Sequence, residues 1–287
     1  MATLRRVIAT ASLAVLALAA QSPSWEPLSA LDGSLLFVCG KGQPGTAELY
    51  FKDDAHAVRQ LTVTQPSAGA NSATWLGDRI LAVIDRDLTN RMEVRELGTP
   101  PDEVGRPLGP GAAPAVSRAG TIAYLRPGED RRGRPVDEVV RLRGGRRKVL
   151  ARRHAFWDLF WVGRRLYAFT ESRSGRSALL EVTRGARRSV PLRGRRVATV
   201  AVSSRRRVAY TFRRDRLAVM RLDGSRRRVY RRAWAVLAWS PDGRRVLVTH
   251  RTRIGLLNPR TGRVRGLGRL PCGYIGSAVW TRPGTHP

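Results

Sequence analysis

One motif, repeated at near-constant spacing, constrains the fold of this chain more than any other feature. The stretch AWSPDGRRVLVTH, Ala238 to His250, joins a Pro-Asp-Gly turn to an apolar, β-rich run, and variants of it recur upstream. They are LDGSLLFVC at 31 to 39, WLGDRILAVI at 75 to 84, SRAGTIAYL at 117 to 125, WVGRRLYAFT at 161 to 170 and SSRRRVAYTF at 203 to 212. Anchored on Gly33, Gly77, Gly120, Gly163, Arg205 and Gly243, the steps are 44, 43, 43, 42 and 38 residues. A seventh anchor, Gly284, lies 41 further on.

Each unit continues alike. After the turn and its apolar run comes a variable loop, then a hairpin such as LAVMRLDGSRRRVYR at 217 to 231 or VVRLRGGRRKVLA at 139 to 151. With a short strand ahead of the first turn, such as VLAW before SPDG, a unit holds four antiparallel strands. Four strands every 40 to 45 residues is the pattern of a β-propeller blade. The runs ILAVI, LYAFT and VAYTF are apolar almost without interruption, as strands covered on both faces should be. An open β-sandwich with regular turns is the competing architecture.

The motif WSPDGRRV at 239 to 246, with LNPRTGRVRGL at 257 to 267, resembles the repeats of the TolB-like six-bladed β-propellers, the WD40-like PD40 repeat. The likeness spans nearly all of the chain after its first segment and is sharpest in the last unit; SPDG becomes SRAG in the third and SSRR in the fifth. It implies an all-β, six-bladed ring of four-stranded antiparallel blades. The blades are expected at about 31–71, 72–113, 114–153, 154–196, 197–234 and 235–270, within a single domain over 21–287.

A ring must join its ends. IGSAVWTRPG at 275 to 284 reads as a first strand and turn lacking the rest of a blade, whereas the first unit lacks a good first strand. The C-terminal strand is therefore expected to close blade one. The other closure makes WEPLSAL the inner strand of blade one, despite Pro27 within it. Under the first closure Cys39, at the end of one strand, meets Cys272, just before its antiparallel neighbour begins. The two cysteines are expected to form a disulfide across a loop of 233 residues.

Residues 1–20 have a basic start at Arg5 and Arg6, an apolar run from Val7 to Ala20 and small residues near Ala17 to Ala19. That is the layout of a secretory signal peptide, with a run shorter than the ~20 residues of a spanning helix. An exported location, periplasmic or extracellular, is expected. An uncleaved N-terminal anchor is the other reading of the segment.

Net charge is +31 and uneven: residues 1–130 carry 12 basic and 14 acidic side chains, and residues 131–287 carry 41 and 8. Only Lys41, Lys52 and Lys148 are lysines, a bias that codon usage in a GC-rich genome also produces; codon usage does not explain the difference between halves. In a four-stranded blade the first and third turns fall on one face of the ring. The basic runs at those turns are Arg146, Arg147, Arg164, Arg165, Arg187, Arg188, Arg205, Arg206, Arg207, Arg226, Arg227, Arg228, Arg244 and Arg245. They form a candidate anion-binding face on blades three to six, attracting anionic envelope polymers or lipid headgroups. The loops GKGQPGTAE and DRDLTN on the opposite face are the place expected for a protein partner.

No G-x-S-x-G elbow or H-E-x-x-H motif is present, and His56, His154, His250 and His286 have no partner at metal-ligand spacing. Asp242 reads as a turn residue. Trp75, Trp161, Trp239 and Trp280, each just before a turn anchor, read as blade-packing residues, and so does Trp157 in HAFWDLFWVG. No catalytic, cofactor or metal residue is assigned. The reading is a non-enzymatic, monomeric, exported propeller that binds a protein partner, an anionic envelope component, or both. Any membrane association is peripheral, and export argues against nucleic acid. The alternative is a lyase or hydrolase acting from the central channel.

Overall fold

The period dictates a ring because one four-stranded sheet cannot cover both of its own faces, whereas neighbouring sheets can. The computed structural model describes residues 24–40, 47–62, 69–85, 92–97, 106–183, 188–213, 216–231 and 234–284. The segment expected to be a signal peptide, 1–20, lies outside them. Blade one holds β1 (Leu35–Gly40), β2 (Ala47–Lys52) and β3 (Val58–Gln60). Blade two holds β4 (Gly69–Leu76), β5 (Arg79–Asp85), β6 (Met92–Leu97) and β7 (Arg106–Pro110). Blade three holds β8 (Ala112–Val116), β9 (Ile122–Glu129), β10 (Pro135–Arg143) and β11 (Arg146–Arg153). Blade four holds β12 (Phe156–Val162), β13 (Arg165–Glu171), β14 (Ser177–Glu181) and β15 (Arg188–Leu192). Blade five holds β16 (Val197–Val202), β17 (Arg207–Phe212), β18 (Arg216–Arg221) and β19 (Arg228–Arg231). Blade six holds β20 (Ala235–Trp239), β21 (Val246–His250), β22 (Arg253–Leu257) and β23 (Val264–Arg269). The last strand, β24 (Tyr274–Trp280), pairs antiparallel with β1 and completes the sheet β24-β1-β2-β3. The protein is an all-β ring of six four-stranded antiparallel blades. Blade two starts at Gly69 and blade three at Ala112, slightly earlier than the spacing of the turns suggests.

The first strands, β24, β4, β8, β12, β16 and β20, touch one another in that order around the axis. The core is divided accordingly into six apolar layers, one between each pair of neighbouring blades. Period two in the second strands feeds both sides. On β1, Leu35, Phe37 and Cys39 enter the layer shared with blade six, while Leu36 and Val38 enter the layer shared with blade two. That is the physical reason these runs are unbroken in hydrophobicity.

Closure by the C-terminal strand holds, so the competing closure falls, and two expectations need correcting. WEPLSAL is not a strand: Glu26–Ala30 forms a single 3-10 turn, with Pro27 near its start and Leu28 buried, which packs against β23. The inner strand of blade one is β24. In the fifth unit the turn anchor is Arg206 rather than Arg205. Arg206 has φ +58° where Gly120 has +72° and Gly243 has +64°. The Arg206 N–H donates to the Ser203 carbonyl as Gly120 does to Ser117 and Gly243 to Ser240. Finally, Trp157 is not core. It is 59% exposed, beside buried Phe156, because a β-bulge between Phe156 and Asp158 turns it out of the packed layer. All six inner strands carry such a register shift against their second strands.

Candidate functional site

Blade one is sealed at both ends of β24. At one end Cys39 and Cys272 are joined, with Sγ–Sγ 2.09 Å and Cα–Cα 5.4 Å, and the Gly273 N–H donates to the Gly40 carbonyl at 2.7 Å. At the other end, where every other blade has its first turn, two separate stretches of chain meet. The Trp280 indole N–H donates to the Asp32 carbonyl and the Thr281 N–H to that of Ser34. The Ser34 hydroxyl and the Gly284 N–H both donate to the Asp54 carboxylate. The ammonium of Lys52, fully buried, donates to the carbonyls of Leu31 at 2.7 Å and Gly33 at 2.6 Å. Burial lowers the pKa of Lys52, with Asp54, Asp53 and Asp32 opposing. Gly33 is required here: at φ +84° a Cβ would lie 2.2 Å from the Thr281 carbonyl oxygen.

Two of the remaining turn tryptophans tie neighbouring blades together. Trp161 donates its indole N–H to the Ala115 carbonyl at 3.3 Å and Trp239 donates to that of Ala201 at 3.0 Å. Each bond links one inner strand to the preceding one. Trp75 is buried in the layer between blades one and two, against Phe51. Asp242 is turn chemistry: its carboxylate accepts from the Ser240 hydroxyl at 2.6 Å and the Arg244 N–H at 2.9 Å. Burial raises its pKa, but these donors and the charge of Arg244 outweigh burial and hold it below the ordinary value.

The strand order places the named arginines at first and third turns, hence at one end of their blades. Arg187 lies outside the described residues. Arg146, Arg164, Arg188, Arg206, Arg226 and Arg245 are exposed, and among the described residues their guanidinium groups have no hydrogen-bond or ion-pair partner. Others are occupied. Arg147 donates to the Leu108 carbonyl of blade two, Arg165 faces Glu181, and Arg207 reaches the Gly243 carbonyl of blade six. Arg205 packs its methylenes against Gly243, Arg228 donates to the Arg260 carbonyl, and Arg244 lies 3.6 Å from Asp242. Arg227 is drawn away from the rim. It donates to the Tyr210 hydroxyl and the Arg193 carbonyl, with its guanidinium carbon 5.2 Å from the Phe212 ring centre.

The positive charge is not confined to that face. Second turns and blade connections present exposed Arg153, Arg193, Arg195, Arg196, Arg213, Arg251 and Arg253 at the opposite end. Carboxylates are interleaved there. Buried Glu138 holds Arg126 and Arg152, and their donation overcomes the burial that would raise its pKa. Asp130 is pulled down to about 2 by the side chain of Arg134 and the N–H groups of Arg134 and Arg132. The loops proposed for a protein partner fall largely at 41–46 and 86–91, outside the described residues.

A spatial neighbourhood that linear reading missed is a cleft of about 510 Å³ between blades two and three, on the first-turn face. Arg79, Arg106, Arg143 and Arg147 line it, over walls that include Leu108 and Ile122. Arg79 is paired with Glu96. Only the adjacency of two blades brings these side chains together, so no local motif could have signalled it. On the inner strand of blade four, Asp158 has its pKa raised to about 7 by burial, opposed only by the Leu159 N–H that its carboxylate accepts. Among the described residues no group of three or more His, Cys, Asp and Glu side chains could hold a metal ion, and no helix is long and apolar enough to cross a membrane.

These features define the protein's class as a six-bladed β-propeller. No protein-family model matches the chain, and no curated protein sequence matches it. Among solved structures, a puromycin-hydrolysing peptidase of Mycobacterium tuberculosis is similar at TM-score 0.51 and 16% identity, over 82% of this chain and 43% of the peptidase. The chain thus spans less than half the length of that enzyme. Kluyveromyces lactis Hsv2 is similar at TM-score 0.50 and 14% identity, over 83% of this chain and 73% of Hsv2. At such identities the likeness is one of fold.

Proposed function

We propose that the protein is an exported, TolB-like propeller that works by binding, without catalysis, and that its partner is an anionic component of the cell envelope, whether protein or polymer. The observation that carries this reading is the set of exposed arginines, unpartnered among the described residues, at the first and third turns of blades three to six. Guanidinium groups held on rigid turns meet carboxylate or phosphate without ordering a loop first. Export is supported by the signal-like segment 1–20 and by the Cys39–Cys272 bond, since disulfides persist in oxidising compartments.

The test is retention on immobilised polyphosphate at rising salt. Replacing Arg164, Arg206, Arg226 and Arg245 by Glu should abolish retention at ionic strengths where the parent still binds, because contacts of this kind are screened by salt. Unchanged retention would remove the anionic part of the proposal. Protein recovered from the envelope should begin near Gln21; recovery of the uncleaved chain would favour an anchored form.

A second reading, an enzyme acting from the axis of the ring, draws on Asp158 alone. A carboxyl titrating near neutrality is suited to proton transfer. Hydrolytic or lyase activity on envelope material that disappears in Asp158→Asn would replace the binding reading.

A further inference from the structure

We propose that the cleft between blades two and three is a site for a phosphate group carried on an apolar body, cradled by Arg106, Arg143 and Arg147. The proposal deepens the anion-binding reading, on which it rests for the polarity of the ligand, but it concerns an open cleft between two blades rather than a charged rim.

Three observations carry it. First, the volume of about 510 Å³ is that of a small-molecule site and far exceeds what one inorganic anion fills. Beside the arginines, the lining includes the apolar side chains of Pro107, Leu108, Ile122 and Leu142, which offer contacts to the body of an ester.

Second, the charge in the cleft is unbalanced. Glu96 neutralises Arg79, leaving Arg106, Arg143 and Arg147 without a carboxylate among the described residues. A dianion answers that excess better than a single carboxylate does, and the planar guanidinium fork matches phosphate oxygens two at a time.

Third, the walls are set before any ligand arrives. Arg147 crosses from the third turn of blade three to the Leu108 carbonyl of blade two at 2.7 Å, so one wall is tied to the other. Arg143 precedes the two-residue turn Gly144-Gly145, whose φ values of +53° and +76° are those of a type I′ hairpin. A Cβ at either glycine would meet nothing within 4 Å, so the turn leaves the mouth of the cleft open. Arg106 begins an outer strand. Among the described residues neither Arg106 nor Arg143 makes a side-chain hydrogen bond or ion pair.

Calorimetric titration of the whole chain with phenyl phosphate, and with inorganic phosphate for comparison, tests the proposal. Phenyl phosphate should bind more tightly, and Arg106→Ala with Arg143→Ala should weaken it at least tenfold while the melting midpoint stays put. Arg143→Gln alone should lose several-fold, which keeps the test alive if the double variant folds poorly. The rim variant with Glu at 164, 206, 226 and 245 should bind phenyl phosphate within about twofold of the parent, even if its polyphosphate retention is gone. No binding to the parent chain, or equal losses in the rim and cleft variants, would overturn the site. Sedimentation with phosphatidic acid vesicles identifies the source. Cleft-dependent capture means a lipid headgroup, and its absence alongside phenyl phosphate binding means a soluble ester.

Discussion

Blades one and six solve the same geometric problem by different means. Blade six joins its first two strands through Ser240-Pro241-Asp242-Gly243, and the covalent chain supplies the proximity. Blade one brings β24 to β1 from opposite ends of the sequence, and side chains must supply what the chain does not. Where blade six uses one carboxylate to organise a turn, blade one uses Asp54, buried Lys52, the Trp280 indole and, at the far end of the strand, a disulfide. The difference shows how much local connectivity is worth. Losing one turn is compensated by several long-range bonds.

The largest effect is expected from the disulfide. Cys39→Ala with Cys272→Ala should destabilise the fold by up to about 5 kcal/mol in urea unfolding, the chain-entropy limit for so long a loop. A loss under ~1 kcal/mol would mean that the opposite seam suffices by itself. A group remote from both blades provides a yardstick of similar size. The carboxyl of Asp158 keeps its proton in the folded state up to about pH 7, whereas the unfolded chain gives it up near pH 4. Between those values the native state binds more protons, so this residue lowers stability as pH rises and its cost is complete above pH 7. Asp158→Asn should therefore gain up to about 4 kcal/mol at pH 8 and almost nothing at pH 4; equal gains at both would remove the titration from the account.

Lys52→Met should cost about 3 kcal/mol, because two buried carbonyls lose a charged donor. Asp54→Ala should cost about 2 kcal/mol against about 1 for Asp242→Ala, since only blade six keeps a covalent turn. Equal losses would break the comparison between the blades. Smallest of all, Arg206→Gly should gain about 0.5 kcal/mol, relief of the left-handed backbone exceeding the added chain entropy. A loss there would mean that the Arg206 side chain contributes to the turn.

What could be read from the sequence followed from periodicity. Glycines at positive φ recur at the first turns and the second strands are continuously apolar, so blade number, strand order and the Cys39–Cys272 contact were all readable. Trp25-Glu26-Pro27-Leu28 was ambiguous because a 3-10 turn and a poor strand share the same composition over so few residues. Trp157 was misjudged because a bulge adds one residue and inverts the alternation after it, and no residue type marks that insertion. The charged face was half readable. Turn position assigns an arginine to an end of a blade, but whether its guanidinium is free, as in Arg226, or folded back, as in Arg227, depends on Tyr210 and Arg193 arriving beside it. The cleft could not be read at all, since Arg106 and Arg143 are neighbours only across a seam between blades.

The use of β24 to finish blade one also sets a schedule. During synthesis or export the inner edge of β1 has no partner until Tyr274–Trp280, the last strand of the ring in chain order, has emerged. For that interval a strand buried along its whole length in the finished ring offers an open hydrogen-bonding edge to any other extended chain. Holding the protein apart from its own copies until β24 has docked is thus a requirement of this architecture, and the Cys39–Cys272 bond retains the docked strand.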